Sequence, residues 1–224
     1  MKKIIALILC AVCALTVFAA CGKKDTPDKN IDDKGYKEED IQIYEGFGFV
    51  IKDEKAIIVK YSAHDKKQSL EIPDKLGGKP VTVIAEGAFE GFDFKPVGEK
   101  QNLSEVKFPS SLETIEDNAF KGSTINKALM VYSPNLKSIG ANAFDGCENL
   151  VQLDIPSSVE EFGANCFANC PKLRVVTFRG NLKPDASIFT GSAKDFTLWT
   201  NTKNKDTIQF AKDNGYAYKT GDNL

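Results

Sequence analysis

The chain has 224 residues, 42% apolar and 27% charged, enough for one or two domains and neither disordered throughout nor polytopic. Lys and Arg number 29 against 31 Asp and Glu, a net charge of -2 that provides no basic field for nucleic acid or for an anionic bilayer. The single histidine, His64, excludes chemistry that needs a histidine pair or a histidine-rich metal site.

Lys2 and Lys3 precede an apolar run over residues 4–20, interrupted only by Thr16 and ending in Phe18-Ala19-Ala20-Cys21-Gly22. A cationic start, an apolar middle and small residues before a cleavage point mark a secretory signal. The run is slightly short of the roughly 20 residues a membrane span needs, so an uncleaved anchor is the competing reading. The segment resembles a bacterial lipoprotein signal, with Phe18 standing where leucine is usual. That resemblance implies acylation of Cys21, which would become the new N-terminus. Residues 22–40 hold twelve Lys, Asp or Glu and only two large apolar groups, Ile31 and Tyr36. Such a stretch buries too little to offset its ordering entropy and is expected to be a flexible tether.

Self-similarity is the strongest signal further along. Phe-x-Gly recurs at Phe89/Gly91, Phe120/Gly122, Phe144/Gly146 and Phe189/Gly191, with Phe167/Asn169 as a variant. Gly and Asn tolerate positive φ best, so their exchange predicts a left-handed turn at that position. Ile84, Ile115, Ile139 and Phe162 stand five residues before the phenylalanines. Ala88, Ala119, Ala143 and Cys166 stand immediately before them. Upstream, Leu103-x-x-Val106-x-Phe108-Pro109 and Leu150-x-x-Leu153-x-Ile155-Pro156 alternate as half-buried strands do, and Leu173-x-x-Val176-x-Phe178 repeats the pattern without the proline. A period near 23 residues means a solenoid, because one such unit cannot bury a core alone and must stack on its neighbours.

The run Leu-x-x-Val-x-Phe-Pro-Ser-Ser-Leu-x-x-Ile-x-x-x-Ala-Phe-x-Gly, across residues 103–123 and again across 150–170, resembles the BspA-type leucine-rich repeat. The resemblance covers about residues 69–192. It implies a β-rich α/β solenoid: a right-handed superhelix with parallel strands on the concave face and short strands or helical turns opposite. Three departures stand out. Residues 92–100 insert a loop, residues 125–135 are irregular with their proline displaced by one, and Pro184 replaces isoleucine in a degenerate, terminal coil at Phe189.

Both ends read as caps. Two β-rich runs separated by Lys52-Asp53-Glu54-Lys55 predict a hairpin, which leads into an early coil lengthened around Gly77-Gly78. At the other end a strand over residues 196–200, a helix over 204–214 with Ile208 and Ala211 inward, and a returning strand at 216–218 are expected. The organisation is therefore a signal peptide at 1–20, lipidated Cys21 and tether to 40, an N-terminal β cap at 41–68, the solenoid at 69–192 and a C-terminal strand-helix-strand cap at 193–224.

Three cysteines, Cys147, Cys166 and Cys170, lie in the repeat region. Cys147 and Cys170 share one repeat position with Phe92, Ser123 and Ser192, and Cys166 takes the alanine position. Buried thiols are the first reading, a Cys147–Cys170 disulfide between adjacent coils the second and a metal site the last. The Pro-Ser-Ser pairs Ser110-Ser111 and Ser157-Ser158 are turns with no histidine in phase. His64 lies in a polar loop, and the carboxylates form no spaced acid–base pair. No phosphate-binding loop is present. Neither catalysis nor a cofactor nor a bound metal is expected.

The residues alternating with the apolar strand positions should line the concave face: Glu105, Lys107, Gln152, Asp154, Val175 and Thr177. Lys107, Asp154 and Thr177 should form one exposed row, in which Lys107 and Asp154 could be reversed without lowering the melting temperature. The function expected is a surface-exposed, lipid-anchored, monomeric module that binds a protein on host, matrix or neighbouring cell through this face. An accessory scaffold of a cell-envelope complex is the alternative, spoken for by an exposed apolar patch on a cap. A secreted hydrolase is a remote one, spoken for by a deep carboxylate-lined pocket.

Overall fold

The computed structural model describes residues 35–62, 69–94 and 105–222. Chain order runs β1 (Gln42–Tyr44), β2 (Phe47–Lys52), β3 (Lys55–Tyr61), β4 (Ser69–Glu71), β5 (Lys75–Leu76), β6 (Lys79–Ile84), β7 (Glu105–Lys107), β8 (Thr114–Ile115), β9 (Lys127–Leu129), β10 (Ser138–Ile139), β11 (Gln152–Ile155), β12 (Glu161–Phe162), β13 (Val175–Phe178), β14 (Thr197–Thr200), α1 (Lys205–Asp213) and β15 (Ala217–Thr220). Two sheets result. One has seven strands in the order β15-β14-β13-β11-β9-β7-β4, parallel throughout. The other has the order β1-β2-β3-β6-β8-β10-β12, with β5 paired to β6. From β4 to β12 successive coils place one strand in each sheet, and the apolar core lies between them; after β13 and β14 a 3-10 turn at Ala186–Phe189 and α1 take the place of the second strand. The molecule is a parallel-strand solenoid with little helix.

The core is built on a column of rings. Phe89 and Phe120 stack at 4.6 Å between centroids, Phe120 and Phe144 at 5.0 Å, Phe144 and Phe167 at 5.6 Å, and Phe167 and Phe189 at 5.8 Å. The column fixes the spacing between coils. The backbone beside each ring is bonded to the next coil as well: Phe89 N–H donates to Ala119 O, Phe120 N–H to Ala143 O and Phe144 N–H to Cys166 O, each at 2.7 Å. The turn side of the solenoid thus satisfies its main-chain groups as the sheets do.

Each ring is held by a left-handed residue two positions on: φ is 62° at Gly91, 64° at Gly122, 69° at Gly146, 52° at Asn169 and 72° at Gly191. A second left-handed position precedes the first four rings by two residues, at Gly87, Asn118, Asn142 and Asn165, with φ of 54–58°, while Phe189 is reached through a 3-10 turn at Ala186–Phe189. Between these two reversals the chain turns sharply enough to drive the phenylalanine inward.

The ends differ from the expectation in detail. At the N-terminal end β2 and β3 pair antiparallel through a two-residue turn in which Asp53 and Glu54 both have positive φ, matching the right-handed twist of a tight hairpin. Residues 35–40, expected to be tether, are folded. Glu38–Asp40 forms a 3-10 turn, and Tyr36 and Ile41 pack on Val50, Val59 and Ala85 outside the main core. A single aromatic and one isoleucine suffice because the sheet offers them a ready apolar patch. Residues 125–135 are a regular coil rather than an irregular one: β9 pairs in register with both β7 and β11, and a 3-10 turn at Met130–Tyr132 absorbs the displaced proline.

The Phe189 ring is the last in the column, and a strand, a helix and a strand follow it: β14 pairs with β13, β15 with β14, and Tyr216 packs 4.6 Å from Phe196. In α1 the buried residues are Thr207, Phe210 and Ala211, while Ile208 is only half-buried. The i, i+3, i+4 stripe starts one residue earlier than the apolar residues suggest. Among the described residues no helix is long and apolar enough to cross a membrane.

Candidate docking face on the seven-stranded sheet

Alternation along each strand sends Leu70, Val106, Ala128, Leu153, Val176 and Leu198 into the core and their neighbours outward. Register then arranges the outward side chains in rows. One row runs Ser69, Glu105, Lys127, Gln152, Val175, Thr197, Ala217. The next runs Glu71, Lys107, Leu129, Asp154, Thr177, Trp199, Lys219. Lys107, Asp154 and Thr177 do share a row, and β9 supplies Leu129 between the first two.

The row is not uniformly exposed. Asp154 and Thr177 are each only 7% exposed, so the expectation that both stand in solvent is corrected. The cause is Arg179, just beyond β13, which folds back across the neighbouring strand. Its Nε donates to Asp154 Oδ1 at 2.7 Å and its Nη2 to Oδ2 at 2.8 Å. This fork covers Asp154, and the Asp154 carboxylate in turn raises the Arg179 pKa. Lys107 is exposed, while Glu105, Gln152 and Val175 are partly exposed. Tyr132 rises beside them, 60% exposed, and walls a groove of about 390 Å³ floored by Ile72, Phe108 and Pro109. Farther along, Lys219 Nζ lies 5.1 Å from the centroid of the partly exposed Trp199 ring.

Arg179, Tyr132 and Trp199 are functional candidates that strand alternation did not select. Arg179 lies past the strand end and Tyr132 in a turn. Trp199 occupies the same row as Thr177, and extending the repeat register one strand further would have found it.

The other groups with chemical potential have structural partners. Cys147, Cys166 and Cys170 are buried free thiols. Cys147 Sγ donates to Phe120 O at 3.2 Å, and Cys170 Sγ to Ala168 O at 3.3 Å. Burial raises all three pKa values, that of Cys170 to about 12. On the second sheet an open groove of about 520 Å³ is lined by Glu86, Glu116, Asp117 and Glu161. Three of these carboxylates accept protein hydrogen bonds: Glu116 from the Glu86 N–H, Asp117 from the Ala141 N–H and Glu86 from Asn118. They tie coil to coil. Ser110 and Ser111 are held in their turn by Asp74 and by the Val81 carbonyl. Cys21 and His64 lie outside the described residues.

The profile of the BspA type leucine-rich repeat region matches residues 94–214 in six copies, and the chain belongs to that family. Among solved structures it is similar to a Treponema pallidum leucine-rich repeat protein, at 18% identity and a TM-score of 0.45, covering 81% of this chain and 99% of that one. It is also similar to a leucine-rich cell surface protein of Faecalibacterium prausnitzii, at 24% identity and 0.49, covering 71% and 45%. A third is the pneumococcal vaccine antigen PcpA, at 19% and 0.47, covering 73% and 50%. The chain spans about half the length of the latter two. No curated protein matches it.

Proposed function

We propose that the chain is a cell-surface lipoprotein, anchored through Cys21, whose seven-stranded sheet docks a protein partner. The observation that carries this reading is the pair of in-register rows on the outward face, which present polar, apolar and aromatic side chains on a backbone already ordered by its ladder. A rigid surface loses little conformational freedom on binding, so more of the contact energy appears as affinity. Family membership supports an interaction module rather than an enzyme. Glu105, Lys107, Gln152 and Val175 are the contact residues proposed, with Leu129, Tyr132 and Trp199 added. Asp154 acts by holding Arg179, and Thr177 lies beneath the contact.

Two measurements test it. Cys21→Ala should release the chain from membranes or leave it unprocessed, and normal processing with membrane retention would overturn the anchor. Against immobilised matrix and surface proteins, Gln152→Arg with Val175→Arg should abolish binding while Thr114→Arg with Ser138→Arg on the other sheet should not. Equal effects of the two pairs would remove the face from the account.

A second reading, an accessory subunit of an envelope complex, is favoured by Ile43 and Tyr44, 67% and 54% exposed on β1 at the margin of the N-terminal hairpin. Neighbours on a strand point to opposite faces, so the two flank β1, the edge strand of this sheet among the described residues, and suit strand addition by a partner.

A further inference from the structure

On β9, β11, β13, β14 and β15 the outward positions carry two cations, Lys127 and Lys219, and one carboxylate, Asp154. Asp154 is taken up by Arg179. Lys127 stands opposite Glu105 in the register, which offsets its charge. Lys219 stands opposite Trp199 and rests over its ring. Asp222, the nearest carboxylate along the chain, accepts from Thr202 Oγ1. Among the described residues this half of the face therefore has one exposed ammonium without an anionic partner, lying over the chain's single tryptophan.

An exposed cation–π contact is worth about 0.5–1 kcal/mol, whereas a hydrogen bond to a charged group is worth about 1.5–3 kcal/mol. A carboxylate brought to Lys219 would lift the ammonium off the ring and free one indole face. Tryptophan, tyrosine and arginine are the side chains that most often anchor interfaces. Here Arg179 is already fixed by two hydrogen bonds and Tyr132 already stands out of the surface.

We propose that the C-terminal half of the face docks an acidic protein segment, with a carboxylate engaged by Lys219 and an adjacent apolar side chain laid on the Trp199 ring. This rests on the protein-docking reading above and assigns its partner a chemistry. A nucleic acid or sulfated polysaccharide fits less well. Such polyanions need a continuous line of cations, and the chain carries a net charge of -2.

Because Trp199 is the only tryptophan, its emission reports this site alone. The full chain is titrated with an acetylated decapeptide of alternating Glu and Leu, with its Lys and Leu counterpart and with a heparin-derived oligosaccharide. The Glu/Leu peptide should shift emission to shorter wavelength, saturably and less at high salt. Lys219→Glu should weaken the response about tenfold or more, and Lys172→Glu should leave it unchanged. No response to the Glu/Leu peptide, an equal response to either other probe, or indifference to Lys219→Glu would overturn the proposal. A partner protein lost on Gln152→Arg with Val175→Arg, yet bound equally by Lys219→Glu and silent at Trp199, would sink this inference and leave the docking face standing. A partner indifferent to all these changes would sink both.

Discussion

Arg179 grips Asp154 through two hydrogen bonds of 2.7 and 2.8 Å, reaching from the end of one strand to the outward face of its neighbour 25 residues earlier. The two partners are unequally buried, with side-chain exposures of 29% and 10%. Arg179→Ala removes the group that covers the carboxylate and opens it to water, and Asp154→Ala leaves a guanidinium that can swing into water, so each should cost about 1 kcal/mol, the worth of a pair near the surface. Urea denaturation of both variants measures the costs, and a loss above about 2 kcal/mol for Arg179→Ala alone would mean that the strands, and not the guanidinium, keep Asp154 from water.

Phe144 is fully buried between Phe120 and Phe167 in the ring column. Phe144→Ala should cost about 3–5 kcal/mol as a buried aromatic truncation. Since coils are stabilised by their neighbours, the loss should also broaden the unfolding transition by uncoupling the two halves of the array. A sharp transition displaced by less than about 1 kcal/mol would remove the column from its structural role.

Gly163 packs against the preceding coil so closely that a Cβ there would lie 2.1 Å from Ala141 N. A Cβ at Gly122 would meet nothing within 4 Å, although φ is 64°. Gly163→Ala must push two coils apart and should destabilise severely, by more than about 3 kcal/mol, while Gly122→Ala should cost about 1–2 kcal/mol for the left-handed conformation alone. Thermal melts of the pair decide whether close approach or backbone conformation dominates at these turns.

The three buried thiols give stability a pH dependence. Their folded pKa values lie above the ordinary value of about 8.5, so above that pH the unfolded chain loses thiol protons while the native chain keeps them. The unfolded state then binds fewer protons and is stabilised relative to the native one. Stability should be unaffected by these groups below about pH 8. Above about pH 9 it should fall with rising pH, by up to about 1.4 kcal/mol per pH unit for each thiol. Denaturant midpoints at pH 7.5 and 9.5, for the chain and for a variant with all three changed to Ala, isolate the effect. An equal fall in both would contradict it, as would rapid alkylation of the folded chain at pH 8.

Much of the fold was legible because each repeat constraint falls on a residue type with few substitutes. The exchange of Gly for Asn at 169 announced a left-handed turn, and that turn is present in all five coils. Asn118, Asn142 and Asn165 carried an equally clear signal with Gly87, but asparagine on a surface turn reads as ordinary polarity until its φ is known. Residues 125–135 concealed a regular coil because the ladder needs only main-chain groups and one inward side chain, Ala128, which alanine meets without an obvious pattern. The docking face was half legible. Alternation gives the row, but an acidic residue in it reads as exposed, and nothing local to Asp154 reveals an arginine 25 residues away that covers it.

The central claim is that the partner lies on the outward face of the seven-stranded sheet. Hydroxyl-radical footprinting of the full chain with and without a bound partner tests it most directly, because it reports side chains rather than amides already paired in the ladder. The account predicts reduced oxidation of Leu129, Tyr132, Val175 and Trp199, with Ile43 and Tyr44 oxidised as in the free chain. Protection of Ile43 and Tyr44 with Tyr132 and Trp199 unchanged would contradict it and move the interface to the hairpin.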